Sequence, residues 1–131
     1  MMLDDLLPVY GRCGTVVAWI DDDVLFDMTG RYVAFFDDAT VYSFRGRVLG
    51  FYEGGWFRDT RGDAVAFTTD HDDQGPVAPV CDPPPLPPAL DCPPHPTTPH
   101  VFPVSPVAGV DWSLQTWGVF IADSGPVSSM Y

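Results

Sequence analysis

Lysine is absent from this 131-residue chain, and six arginines stand against 18 acidic residues, for a net charge of −12. Binding a phosphate backbone takes clustered cations that release counterions. Here the arginines are dispersed through the first half and none follows Arg61, which argues against nucleic acid as a partner and equally against an anionic membrane surface. Cysteine is scarce: Cys13, Cys81 and Cys92 are too few and too odd in number for a disulfide framework, so reduced thiols are expected. No apolar run approaches the roughly 20 residues of a membrane helix, and no cationic stretch leading into an apolar one opens the sequence. The expected location is therefore cytoplasmic. A glycine-rich phosphate loop, a dinucleotide fingerprint and a nucleophile elbow are also missing, so no catalytic residue and no cofactor is expected.

What the chain has in excess is repetition. Four sixteen-residue units follow one another without insertion over residues 9–72: VYGRCGTVVAWIDDDV (9–24), LFDMTGRYVAFFDDAT (25–40), VYSFRGRVLGFYEGGW (41–56) and FRDTRGDAVAFTTDHD (57–72). Gly14, Gly30, Gly46 and Gly62 recur at one position of the unit, and the small residues Ala18, Ala34, Gly50 and Ala66 at a second. Beside the small column runs an aromatic one, Trp19, Phe35, Phe51 and Phe67, and two residues before it an aliphatic one, Val17, Val33, Leu49 and Val65. A fixed period of this length marks one supersecondary unit repeated.

Each unit opens on an apolar pair such as Val9-Tyr10, reaches a glycine suited to a turn, and continues through five or six β-prone residues such as 15–20. An acidic or glycine-rich stop follows, and with it a second turn. The reading is all-β: four tandem hairpins, eight antiparallel strands, in a pseudo-fourfold, flower- or propeller-like arrangement with an extended proline-rich C-terminal arm. Strict alternation places Val17 and Trp19 on one face of the long strand and Val16, Ala18 and Ile20 on the other. The small column then suits close packing near the axis, with the rings filling space between copies. The organisation is a lead at 1–8, the four hairpins, an arm at 73–109 and an apolar segment with its tail at 110–131. Sixty-four residues are about the size at which a single core becomes marginal, so the arm or self-association must supplement it.

Four groups of residues invite a chemical reading. Fourfold symmetry would bring Asp21, Asp37 and Glu53, or Asp22, Asp38 and Asp70, to equivalent positions, and clustered carboxylates bind hard cations. Acidic turns are also ordinary turn chemistry that protects sheet edges, and no calcium-loop spacing is present. Cys81, Cys92, His95 and His100 are zinc-capable, but their order lacks the short Cys-Cys knuckle of closed zinc sites. Ser105, Ser113 and Ser124, with His71, His95 and His100 as bases, form no recognisable triad. The aromatic column is explained by the repeat as core rather than as a ligand box, whereas Trp56, Trp112 and Trp117 stand outside it and can cover an edge or form a contact surface. No metal site is therefore expected, with Asp21, Asp37, Glu53, Cys81, Cys92, His95 and His100 as weak candidates.

Residues 76–106 contain 13 prolines, which rules out a central strand and favours polyproline II or irregular extended paths. Two readings compete. The segment is either a lure for proline-recognition modules, as Pro-Leu-Pro-Pro at 85–88 would suit, or a belt around the hairpins anchored by Val80, Leu86, Leu90, Val101, Phe102 and Val104. Interleaved apolar residues favour the belt. Beyond it, 110–122 reads as one or two apolar strands or a short helix.

The third unit, VYSFRGRVLGFYEGGW, and its continuation FRDTRGDAVAF at 57–67 resemble the bacterial family described as the 4-fold beta flower domain. A proline-rich stretch running to Trp112-Ser113 extends the likeness over residues 9–113. The resemblance implies a small all-β domain of four hairpins and carries over no activity and no functional residues. Related tails are more basic and more regularly spaced in proline than this one, which carries Asp82, Asp91 and Asp111. The functional expectation is a non-enzymatic scaffold or protein-binding module that associates with itself or with a protein partner. An acidic nucleic-acid mimic that inhibits a DNA-binding protein is the alternative, and a small metal-dependent hydrolase the third.

Overall fold

The computed structural model describes residues 6–44, 46–92, 103 and 106–122. Eight strands run up and down in chain order: β1 (Leu7–Gly11), β2 (Val16–Asp21), β3 (Val24–Phe26), β4 (Tyr32–Asp37), β5 (Thr40–Tyr42), β6 (Val48–Glu53), β7 (Trp56–Arg58) and β8 (Ala64–Phe67). Each pairs antiparallel with its neighbour in the chain. β8 returns to β1 through Tyr10↔Phe67 and Gly11↔Ala66, which closes the sheet into a barrel. The hairpins are thus hydrogen-bonded to one another as well as within themselves, and closure leaves no strand edge exposed to another chain.

Within every unit the short strand meets the long one in the same register: Val9↔Ala18, Leu25↔Ala34, Val41↔Gly50 and Phe57↔Ala66. One residue further on the register shifts, and Tyr10 faces Val16 while Arg58 faces Ala64. The extra residue of this bulge is Val17, Val33, Leu49 or Val65, and a bulge resets the in-out alternation of its strand. Val17 accordingly packs on the interior cluster that holds Ala18 and Ile20, and Val16 on the outer cluster that holds Tyr10. The expected faces of these two valines are corrected by that bulge. The aliphatic column owes its place in the core to it.

Inside the barrel lie Val9, Leu25, Val41 and Phe57 with Ala18, Ala34 and Ala66 opposite. An eight-stranded barrel has a lumen just wide enough for side chains to fill, so large residues on the short strands require small ones across from them. The symmetry of this interior is broken by a helix. A four-residue helix, α1 (Trp117–Phe120), capped by Thr116 accepting from the Val119 amide, sends Phe120 into the interior cluster at 2% exposure. The rings of Trp117 and Phe120 stand edge-on to Phe57 at 5.3 and 6.4 Å. A Cβ at Gly50 would lie 2.2 Å from the Arg58 carbonyl oxygen and 2.5 Å from the Phe120 ring. The glycine in an otherwise alanine column therefore leaves room for both the Arg58 carbonyl and the helix's Phe120.

The aromatic column points the other way. Trp19, Phe35, Phe51 and Phe67 are at most 5% exposed yet none belongs to the interior cluster. They line the outer wall and pair across the seams between units, Phe35 on Tyr42 at 5.5 Å and Phe67 on Tyr10 at 5.7 Å.

Replacing Gly50 by Ala is expected to destabilise the protein by about 1–3 kcal/mol, the usual cost of overpacking, and to lower the melting temperature seen by circular dichroism. A Gly50→Ala protein melting with the wild type would show that neither the Arg58 carbonyl nor the Phe120 ring crowds that place.

Candidate functional site

The chemistry-bearing residues of this chain converge where the arm meets the barrel, and that junction starts at the glycine turns. Gly14, Gly30 and Gly62 have φ of +86°, +90° and +97°, the region that only glycine enters freely. The space in which their Cβ atoms would stand is taken by the main-chain carbonyls of Val80, Ala89 and Val107 respectively. Two residues further along the arm an amide returns a bond to the same glycine: Asp82 to the Gly14 carbonyl and Asp91 to that of Gly30 at 2.8 Å, and Gly109 to that of Gly62 at 3.0 Å. Each turn glycine is thus fixed by its own backbone angle and by a neighbour that tolerates no side chain.

The arm advances nine residues, from Val80 to Ala89, while the barrel advances one unit, from Gly14 to Gly30. Val107 lies eighteen residues beyond Ala89 and meets Gly62, two units beyond Gly30. The signal was present in the sequence: Pro76, Pro85, Pro94 and Pro103 are nine apart. The expectation that this tail is irregular in proline is corrected on that count. So is the choice of anchors. Val80 and Leu86 are 92% and 93% exposed and Leu90 is half-buried, while Val101, Phe102 and Val104 lie outside the described residues. Main-chain bonds hold the arm, and the side chains it turns inward, Ala78 and Cys81, pack on Tyr10, Trp56 and Phe67.

The fourth unit carries the densest part of the junction. Arg58 occupies the position held by Tyr10, Phe26 and Tyr42 in the other units, and is 2% exposed. Its Nη1 donates to the carbonyls of Gly62 and Gly109 at 2.8 and 2.9 Å, and its Nη2 to that of Gln74 at 2.8 Å. One cation therefore ties the start of the arm and its far end to the same turn. Burial pushes its pKa down and the charges of Asp72, Glu53 and Asp63 act against that shift; an arginine stays protonated through it.

Asp59 stands next to it. Its Oδ1 accepts from the amides of Arg61 and Asp63 at 2.9 and 3.0 Å, as Asp27 accepts from Thr29 and Arg31 two units earlier in the barrel. Its Oδ2 accepts from the Ser113 hydroxyl at 2.5 Å, and Ser113 Oγ in turn accepts from the Gln115 amide at 2.9 Å. The main chain joins in, with Ala64 donating to Asp111 and Ser113 donating to Ala64 at 3.1 and 2.7 Å. Trp112 packs against Trp56 and Phe67, under the guanidinium of Arg12 at 5.7 Å. The Trp112-Ser113 pair is a clasp that closes the arm on the fourth unit.

Ser113 and Asp59 are both buried, the serine oxygen also accepts from the Gln115 amide, and the carboxylate is held by two further amides, so the pair serves the clasp. His71 is engaged elsewhere: its Nδ1 pairs with the Thr68 carbonyl at 2.8 Å, and its ring stands edge-on to Trp56 and Phe67 at 5.1 and 5.2 Å. Ser105, Ser124, His95 and His100 lie outside the described residues. Asp21, Asp37 and Glu53 end their strands at one rim of the barrel, where Asp22 and Asp38 take φ of +58° and +61° and the third turn uses Gly54-Gly55. Among the described residues no group of three or more His, Cys, Asp or Glu is placed to hold a metal ion. Cys81 is half-buried, its thiol pKa raised by burial and by Asp82, and Cys92 is exposed. Arg58 and Asp59 escaped the sequence reading, although an arginine in a Tyr/Phe column was the available sign of the first.

Two outcomes follow from this geometry. Gly30→Ala is expected to loosen the arm at Ala89 while the barrel stays folded, so that hydrogen exchange at the Asp91 amide speeds up by about tenfold for each 1.4 kcal/mol of local strain. Arg58→Met takes the guanidinium from three carbonyls, of which that of Gly62 keeps the Gly109 amide, and is expected to cost roughly 2–4 kcal/mol in urea unfolding; a cost within 0.5 kcal/mol, the range of ordinary surface changes, would show the junction to be dispensable.

No curated protein and no solved structure matches the chain. The family model described as 4-fold beta flower protein matches residues 7–121, a span that takes in the barrel, the arm and the clasp up to α1, and the chain belongs to that family.

Proposed function

We propose that this protein is a non-enzymatic scaffold or protein-binding module, cytoplasmic and self-associating. One observation carries the reading. The charged and hydroxyl groups sheltered from water at the junction, Arg58, Asp59 and Ser113, make their hydrogen bonds within the chain and use them to fasten arm to barrel. Chemistry needs such groups turned toward a substrate; here they turn toward the fold. Among the described residues no helix is long and apolar enough to cross a membrane.

A second reading, an acidic surrogate that occupies a nucleic-acid-binding protein, is favoured by the gathering of Asp21, Asp22, Asp23, Asp37, Asp38, Glu53 and Asp70 at the rim opposite the glycine turns. It calls for a partner whose binding weakens steeply with salt.

Light scattering of the purified chain over a hundredfold concentration range, paired with a pull-down from its native cell, tests both. A mass rising above the 14.4 kDa of one chain supports self-association. Recovery of DNA-binding proteins, released by moderate salt, supports the surrogate. A monomer at every concentration that retains no protein would sink the proposal.

A further inference from the structure

Arg12 breaks the repeat, since the other units carry Met28, Phe44 and Thr60 at its position. It stands exposed in the first glycine turn, its guanidinium 5.7 Å from the centre of the Trp112 ring and its Nη1 donating to the Ser113 carbonyl at 3.3 Å. Stacking and one bond hold the guanidinium in place, and among the described residues no carboxylate pairs with it. Beside it a depression of about 280 Å³ opens between the first turn, the clasp and α1. Val17, Ala64, Val65, Trp112 and Trp117 supply its apolar wall, and of the charged residues described only Arg12 lines it. The carboxylates at this end of the barrel are placed elsewhere. Asp59 and Asp63 line a separate depression with Arg61, Asp27 holds the second turn through Thr29 and Arg31, and Asp82, Asp91 and Asp111 do not line this one.

We propose that this depression is a binding site for a small aromatic carboxylate. Its volume lies at the small end of ligand sites, which admits one or two rings rather than a peptide or a nucleotide. Tryptophan offers flat apolar area to a ring, and a planar guanidinium matches a carboxylate with two parallel hydrogen bonds. The wall is short of acceptors: Arg12 spends one donor on Ser113, and the Nε1 of Trp117 is buried with no acceptor among the described residues. An acid brings acceptors. The net charge of −12 opposes any anion at long range, but at about 0.15 M salt that field is screened beyond roughly 8 Å, and a charge in contact is screened much less. The site stands apart from the self-association proposed above and adds a ligand to the module.

Titration of the full isotope-labelled chain with naphthoate, and with naphthamide as its uncharged counterpart, tests the site by NMR at the indole N–H groups of Trp112 and Trp117. Naphthoate is expected to shift both with a Kd of roughly 0.01–1 mM, and naphthamide to bind about tenfold more weakly. In Arg12→Gln that ratio is expected to fall to about one, and a ratio still near ten would overturn the role of the guanidinium. Arg12→Lys keeps the charge and loses the fork, so its ratio is expected to lie between, and it decides the matter if the Gln variant binds neither ligand. The exposed thiol of Cys13 lines the same depression and gives a readout that needs no substitution. Naphthoate at saturation is expected to slow its alkylation by iodoacetamide several-fold while leaving the exposed Cys92 as reactive as before. Protection of neither thiol, or of both alike, would take the ligand away from the first turn. Equal affinity of acid and amide in the wild type would overturn the carboxylate, and no shift with either ligand at several millimolar would overturn the site.

Discussion

A barrel wall has two faces, and in this chain both are apolar. Closing four hairpins on themselves satisfies the strand edges and fills the lumen, but it leaves Trp19, Phe35, Phe51 and Phe67 on the outside with Tyr10 and Tyr42 between them. Each ring represents 150–250 Å² of surface, or about 4–6 kcal/mol at roughly 25 cal/mol per Å², which a domain with a net stability of about 5–15 kcal/mol cannot leave in water. Covering that outer wall is the constraint behind the rest of the molecule. The arm, its prolines, the turn glycines that receive it and the clasp that ends it all answer to it.

The way the arm is held follows from what each partner has to offer. Proline removes a donor and fixes φ, so a proline-rich chain cannot add itself to a sheet as a ninth strand. It can present single carbonyls at intervals, and a turn glycine with positive φ has room for a carbonyl where any other residue has a side chain. That exchange is nearly independent of side-chain identity, which is why Val80, Ala89 and Val107 serve equally at Gly14, Gly30 and Gly62. The arm's start and end both reach the fourth unit, and that unit departs from the pattern where they do. Arg58 replaces an aromatic ring to gather carbonyls from Gln74 and Gly109, and Asp59 takes the hydroxyl of Ser113. A buried cation is costly to desolvate, and here three carbonyls and the face of Trp56 at 6.0 Å compensate it.

The barrel's columns were legible in the sequence because sixteen-residue periodicity is a local signal repeated four times. Eight strands, their turns and the small-residue column all follow from Gly14 to Gly62 and Ala18 to Ala66. The faces of Val16 and Val17 were not, because a bulge inserts one residue and inverts a period-two pattern without changing its composition. Arg58 and Asp59 were hidden for another reason. Their partners lie 51 and 54 residues away, at Gly109 and Ser113, and no single-sequence pattern records pairings at that distance. The departures from the repeat, Gly50, Phe57 and Arg58, are where long-range contacts had left a trace in the barrel's own sequence.

The two periods, sixteen in the barrel and nine in the arm, fit for a physical reason. One unit occupies two strands, about 10 Å of wall, while nine residues of polyproline II reach about 28 Å. Between its described stations the arm has length to spare as it dips to Gly14 and Gly30. The excess shows between the first two stations, where residues 82–86 are all exposed. A chain under tension would transmit a change at one station to the next; a chain with slack does not. The stations at Gly14, Gly30 and Gly62 therefore act as separate fastenings, and the cooperativity between them comes from the barrel they share rather than from the arm that links them.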